Sequence, residues 1–197
     1  EADLAFYPPV PQLEKLNWNG FGGELYVGWE YVILRKEFLK KYPKPKNTTP
    51  NILVSMGGTD EKNMTEFVIN SMKQINEKFK ATIIVGSGYP YILQLKKRLE
   101  KVHFEFELLQ NPKDIAKIMS QSDFSIISFG QTAYELAALN VSALYICLTD
   151  DHFESSKLFM KNGAGTSLGI FSLMKQEGLA EAIKFHLSEN QVVKDMP

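Results

Sequence analysis

The residues with the clearest chemical promise are Ser128-Phe129-Gly130-Gln131-Thr132-Ala133-Tyr134-Glu135, where an apolar run breaks at a glycine straight into helix-forming residues. A strand that ends on glycine and opens a helix leaves free N–H groups at the positive end of the helix dipole, which favours a phosphate or carboxylate there. Gly130 lets the backbone turn tightly, and Glu135, about one turn in, carries a side chain long enough to reach sugar hydroxyls. Together these residues point to nucleotide-sugar binding.

A second glycine turn, Gly57-Gly58-Thr59-Asp60, comes after another apolar run, and either Thr59 or Asp60 could cap the helix behind it. By itself it reads equally as a tight turn or a ligand loop. Two such turns on one edge of a sheet would suit a diphosphate. The spacing is not Gly-x-Gly-x-x-Gly and no Gly-Lys-Ser/Thr comes next, so neither the dinucleotide fingerprint nor the P-loop is present. Gly86-Ser87-Gly88 reads as a turn, because Pro90 restricts the backbone there.

Asp150-Asp151-His152-Phe153-Glu154 sets acids beside an imidazole. A metal site would need a second histidine nearby, so none is expected, and Asp150 and Asp151 fit helix N-capping. His152 is either a ligand contact or a solvated imidazole, while His103 and His186 read as surface residues without partners. In Gln110-Asn111-Pro112-Lys113-Asp114-Ile115 the exposed amides could read a nucleobase edge, although Asp114 equally suits a helix cap, the reading its residue type favours.

These turns need strands and helices to hold them. From residue 51 the pattern alternates strand and helix: strands over 52–56, 81–85, 104–109, 124–128, 141–148 and 164–168, and helices over 63–79, 91–102, 115–120, 131–139, 152–161 and 179–187. That alternation predicts an α/β fold with a doubly wound parallel sheet, whose strand-to-helix loops gather along one edge. Residues 1–50 read differently. Pro8, Pro9 and Pro11 with Tyr7, Leu13, Leu16 and Trp18 suggest an extended segment draped over another surface. A short strand is expected within 21–28, and 31–42 reads as a helix or an irregular segment with Leu34, Phe38 and Leu39 inward. Residues 42–50, rich in proline and polar residues, read as a linker. The expected division is a connecting segment and linker over 1–50 and a ligand-binding domain over 51–197.

The 197 residues carry a net charge of −1, with 44% hydrophobic and 23% charged residues, an ordinary balance for a soluble protein and no field for nucleic acid. No apolar run approaches the roughly 20 residues of a membrane span. The single Cys147, in an apolar run, reads as a reduced buried thiol in a cytoplasmic protein. The start, Glu1-Ala2-Asp3, lacks an initiator methionine and a signal-like basic region, which suggests a chain that begins partway through a longer gene product.

Three stretches carry a family likeness: Gly28-Trp29-Glu30-Tyr31-Val32-Ile33-Leu34-Arg35-Lys36-Glu37-Phe38, then Ile52 to Asp60, then Ser128 to Leu139. Together they resemble the UDP-sugar hydrolases of pseudaminic acid biosynthesis and the related spore-coat polysaccharide proteins, and more distantly the MurG-type glycosyltransferases. The resemblance implies the Rossmann-like C-terminal half of a GT-B fold. It further implies UDP as ligand, with Glu135 on the ribose, Gly130, Gln131 and Thr132 by the diphosphate, the backbone of Asp114 and Ile115 by the uracil, and Gly57 and Gly58 facing diphosphate or sugar. His152 and Phe153 stand near the sugar, where relatives place Asn-Gln or Gln-Gln. The catalytic histidine of such enzymes lies in an N-terminal domain, so this chain would need that domain or a partner chain, and no cofactor. The implied activity is hydrolysis of a UDP-activated amino sugar for surface glycans, with sugar transfer or non-catalytic nucleotide-sugar binding as alternatives.

Overall fold

A computed structural model describes residues 2–44 and 48–195, and the backbone alone over 190–195. Residues 45–47 of the expected linker lie outside the described residues. Six strands form one parallel sheet: β3 (Asn51–Ser55), β4 (Lys80–Val85), β5 (Glu105–Gln110), β6 (Phe124–Ser128), β7 (Ala143–Cys147) and β8 (Gly165–Ile170). Their order across the sheet is β5-β4-β3-β6-β7-β8. The chain therefore winds outward from β3 in one direction, returns, and winds outward from β6 in the other. The adjacent β3 and β6, in register from Ile52 with Phe124 to Ser55 with Ile127, mark the switch point where open α/β sheets bind ligands.

Strand alternation sorts the core into two layers. Ile52, Val54, Ile83 and Ile126 face one side, under helices α1 (Met64–Met72), α2 (Ile92–Leu99) and α6 (Gln176–Asp195). Leu53, Ile84, Ile127 and Tyr145 face the other, under α3 (Ile115–Ser120), α4 (Gln131–Ala138) and α5 (Asp150–Lys161). With both faces covered, the central strands can be apolar at every position, as in the fully buried Ile52-Leu53-Val54. α5 ends, as its Asn162-Gly163 predicts, on a left-handed glycine with φ +71°.

Three helices depart from expectation by three residues or more, α2 by ending at Leu99 rather than 102. α1 stops at Met72 rather than Phe79, yet Ile75 and Phe79 remain buried, so an irregular turn keeps the spacing that mimicked a helical stripe. α6 begins at Gln176 and packs Leu179, Ile183 and Leu187 into the first layer, a longer helix than its apolar residues alone indicated.

The leading residues are more ordered than a draped segment. β1 (Leu4–Tyr7) and β2 (Glu24–Val27) pair in parallel as a separate two-stranded sheet. Phe6 stacks on Tyr26 with ring centroids 5.1 Å apart, and Tyr7 meets Trp18 edge-on. Residues 31–42 are irregular, with a 3-10 turn over Lys36–Leu39 that buries Phe38 in the α3–α5 layer. Leu39, expected inward, is 70% exposed at the end of the turn that buries Phe38.

Candidate functional site

β6 runs apolar to Ser128 and Phe129, and α4 starts at Gln131. Gly130 does not need glycine for its backbone angle: its φ of 169° is extended, open to any residue. A Cβ there would meet nothing within 4 Å, so the glycine leaves room in front of the helix instead of making a tight turn. Among the described residues no side chain caps the first turn of α4. Gln131 is exposed and Thr132 half-buried beside this opening. The positive end of α4 thus faces the switch-point crevice, an arrangement that accepts an anion.

The β3–α1 junction beside it is built differently. Gly57 sits at φ +91°, where a side chain would be strained, and both Gly57 and Gly58 are exposed with open space at their Cβ positions. Beyond them the Asp60 carboxylate is buried and accepts from the N–H groups of Met64 at 2.7 Å and Thr65 at 2.8 Å. Of the two cap candidates, Asp60 is the one that caps. Burial pushes its carboxyl above the ordinary value, against the lowering effect of those bonds. Asp60 and Asn63 both adopt positive φ, so together with Gly57 they give this loop three left-handed residues. Gly86, read from sequence as a plain turn, supports this loop: a Cβ there would overlap the carbonyl oxygen of Gly58 and lie 2.6 Å from its Cα.

Glu135 lies on the inner side of α4, its side chain 10% exposed. Arg35 Nη2 donates to its Oε1 at 3.1 Å, and Nη1 pairs with Glu37 at 3.1 Å. The guanidinium also lies 4.8 Å above the Phe38 ring. Burial raises the Glu135 carboxyl above its ordinary value, Arg35 opposing the rise and Glu37 adding to it. The Gln131 side chain donates to the Ile33 carbonyl at 3.1 Å, so the connecting segment is tied to α4 at both of these residues. Sequence reasoning assigned Arg35 no role. It lay inside the quoted family stretch, but nothing local connects it to a residue 100 positions away.

Asp114 occupies the first flanking position of α3 without a side-chain cap bond, contrary to the cap reading, and stays exposed. Ile115 is half-buried in the layer that α4 shares. At β7–α5 the cap is Thr149, whose hydroxyl accepts from the His152 N–H at 3.2 Å; Asp150 and Asp151 fall inside the first turn, where their charge suits the dipole. His152 places its ring 6.1 Å from that of Phe129, at the crevice, and its buried Nδ1 has no partner among the described residues. Phe153 instead packs into the α4–α5 layer beneath the Lys157 ammonium, 4.5 Å from its ring centre, so the two neighbours part. His103 and His186 both have partners, the carbonyls of Ile75 at 2.7 Å and Ala182 at 3.0 Å.

No family model matches the chain. Among curated proteins it is 29% identical over 159 residues to a spore coat polysaccharide biosynthesis protein, SpsG, of Bacillus subtilis, covering 79% of this chain and 47% of that one. It is 25% identical over 143 residues to UDP-2,4-diacetamido-2,4,6-trideoxy-beta-L-altropyranose hydrolase of Campylobacter jejuni, covering 73% and 51%. These relatives carry the names the motifs led us to expect. The chain spans about half the length of both. Among solved structures, MurG of Acinetobacter baumannii superposes with a TM-score of 0.65 at 22% identity, over 90% of this chain and 51% of that one. The fold is accordingly that of one half of a GT-B glycosyltransferase. No helix among the described residues is long and apolar enough to cross a membrane.

Proposed function

We propose that this chain is the nucleotide-binding, C-terminal half of a GT-B enzyme that hydrolyses a UDP-activated amino sugar in surface-glycan biosynthesis. The observation that carries the reading is the uncapped N-terminus of α4 opening on the β3–β6 switch point, with empty space in front of Gly130. In it the diphosphate lies against Gly130, Gln131 and Thr132, where oriented N–H groups offset its charge and favour departure of the nucleotide. Glu135 accepts from the ribose hydroxyls, with Arg35 holding the carboxylate in place through Oε1. Asp114 and Ile115 meet the uracil, Gly57 and Gly58 face diphosphate or sugar, and His152 with Phe153 lines the sugar end.

The relatives' names support the substrate class, and their length supports a second half that supplies the reacting group, with residues 1–50 as the connection and 51–197 as the nucleotide domain. The reduced, buried Cys147 fits a cytoplasmic setting. Calorimetric titration with UDP tests the proposal. Binding that Glu135→Ala weakens at least tenfold is expected; no binding at millimolar UDP, or an unchanged affinity in the variant, sinks it.

A further inference from the structure

The molecule has a second opening, at the far end of α4 from the crevice. A cavity of about 340 Å³, a size that small-molecule sites have, lies between the C-terminal ends of α4 and α5 and is lined by Trp29 of the connecting segment. The eight residues of α4 separate it from Gly130, about 12 Å along the helix. Trp29 is 40% exposed, and its indole packs edge-on against Phe159, ring centroids 5.0 Å apart. Ala137 and Val141 add apolar surface, and Asn140 and Asn162 bring side-chain amides. Asn162 Nδ2 donates to the Leu158 carbonyl at 2.7 Å, which fixes that amide and leaves Oδ1 to accept.

The lining selects a ligand by what it lacks. Among the described residues around the cavity none titrates, so it is equipped to hold a molecule and not to transform one. The negative ends of two helix dipoles open on it and disfavour phosphate or carboxylate. A cation fares no better, because Lys44 Nζ already donates to the Asn140 carbonyl at 3.1 Å and Lys161 lies in the last turn of α5. Trp29 and Phe159 meet at 82°, a corner and not the parallel slot that clasps a flat base. A neutral pyranose meets each condition. Its C–H face lies on an indole, and its hydroxyls, each both donor and acceptor, match the two amides and the Trp29 N–H. We propose that this cavity is a second binding site, for a neutral sugar ring held apart from the nucleotide crevice.

NMR titration of the 197-residue chain with N-acetylglucosamine tests it. The Trp29 Nε1–H and the side-chain amides of Asn140 and Asn162 should shift together, with a dissociation constant of about 1 mM, the scale set by ligand efficiency for roughly fifteen non-hydrogen atoms. Ala137→Leu, at an exposed helical position where leucine keeps the helix, fills the cavity and should weaken binding at least tenfold. Trp29→Ala should do the same. Both variants should bind UDP as the unaltered chain does.

No shift at about 50 mM sugar overturns the site, as does unchanged sugar binding in Ala137→Leu. Shifts centred on the Gly130 and Glu135 amides overturn it too, since they would put the sugar in the crevice. Uridine and choline should leave the Trp29, Asn140 and Asn162 signals in place; a response to either that exceeds the sugar's overturns the proposal and gives the cavity to a base or a cation. Variants that lose UDP binding together with the sugar would make the cavity part of the nucleotide site and not a second one. If the unaltered chain binds no UDP, the sugar titration still decides the cavity, so the two readings fail separately.

Discussion

The two strand-to-helix junctions at the switch point begin alike and end differently. Both leave adjacent parallel strands through glycine turns with open space at the missing Cβ. At β3–α1 the chain supplies its own anion, since the Asp60 carboxylate occupies the first N–H groups of the helix. At β6–α4 no side chain among the described residues does so. A glycine after a strand is therefore poor evidence for an anion site; the stronger evidence is whether the helix end behind it is already satisfied. By that measure the proposed diphosphate belongs to α4, and the Gly57-Gly58 loop flanks it.

This contrast can be broken on either side. The largest effect is expected from Gly86→Ala, whose Cβ would run into the Gly58 backbone, where no side chain can yield. A loss of about 2–3 kcal/mol of unfolding free energy is expected in urea titration, as for overpacked interiors. A loss under about 0.5 kcal/mol, within the range of ordinary surface changes, would show that the two loops are not rigidly nested. Asp60→Ala removes both acceptors at α1 and should cost about 1–2 kcal/mol, with Asp60→Asn costing less. If Asp60→Ala leaves stability unchanged, the capped junction is not different in kind from the open one.

On the open side, Gly130→Ala should leave stability within about 0.5 kcal/mol, because its φ is extended and its surroundings are empty. UDP affinity should nevertheless fall about tenfold, roughly 1.4 kcal/mol, as the methyl group takes the ligand's place. Equal affinity would move the diphosphate away from α4.

The smallest effect concerns protons. Glu135 in the folded chain binds its proton more readily than in the unfolded chain, because burial raises its pKa. Its contribution to stability is fully present below the ordinary carboxylate value and is lost as pH rises through the raised one. Arg35→Ala removes the opposing cation, so the Glu135 carboxyl carbon followed by NMR should titrate at higher pH than in the unaltered chain. An unchanged or lower midpoint would mean that the ion pair does not form in solution.

The alternating units from residue 51 were legible because each buried strand is a short apolar run bounded by turn residues, and the observed strand ends fall within two residues of the expected ones. The Asp60 cap and the strand-to-helix break at Gly130 were legible for the same local reason: their neighbours in sequence are their neighbours in space. The features that could not be read depend on distant partners. Leu4–Tyr7 finds β2 about twenty residues on, Arg35 finds Glu135, and Gln12 bonds to Asp151 and Ser155 on α5. Leu39 was misjudged because apolar type alone does not tell a 3-10 turn from an α-helix.

Those distant bonds have a consequence for the order in which the molecule is made. Ile33 and Arg35 dock on α4, and Gln12 on α5, at separations of 98 to 143 residues. At about 5–20 residues per second, roughly 5–30 seconds of translation pass between the emergence of the connecting segment and that of the surface it docks on. During that interval Trp29 and Phe38 have none of their final neighbours on α4 and α5, so this stretch keeps its apolar side chains in water until the last third of the sheet is made.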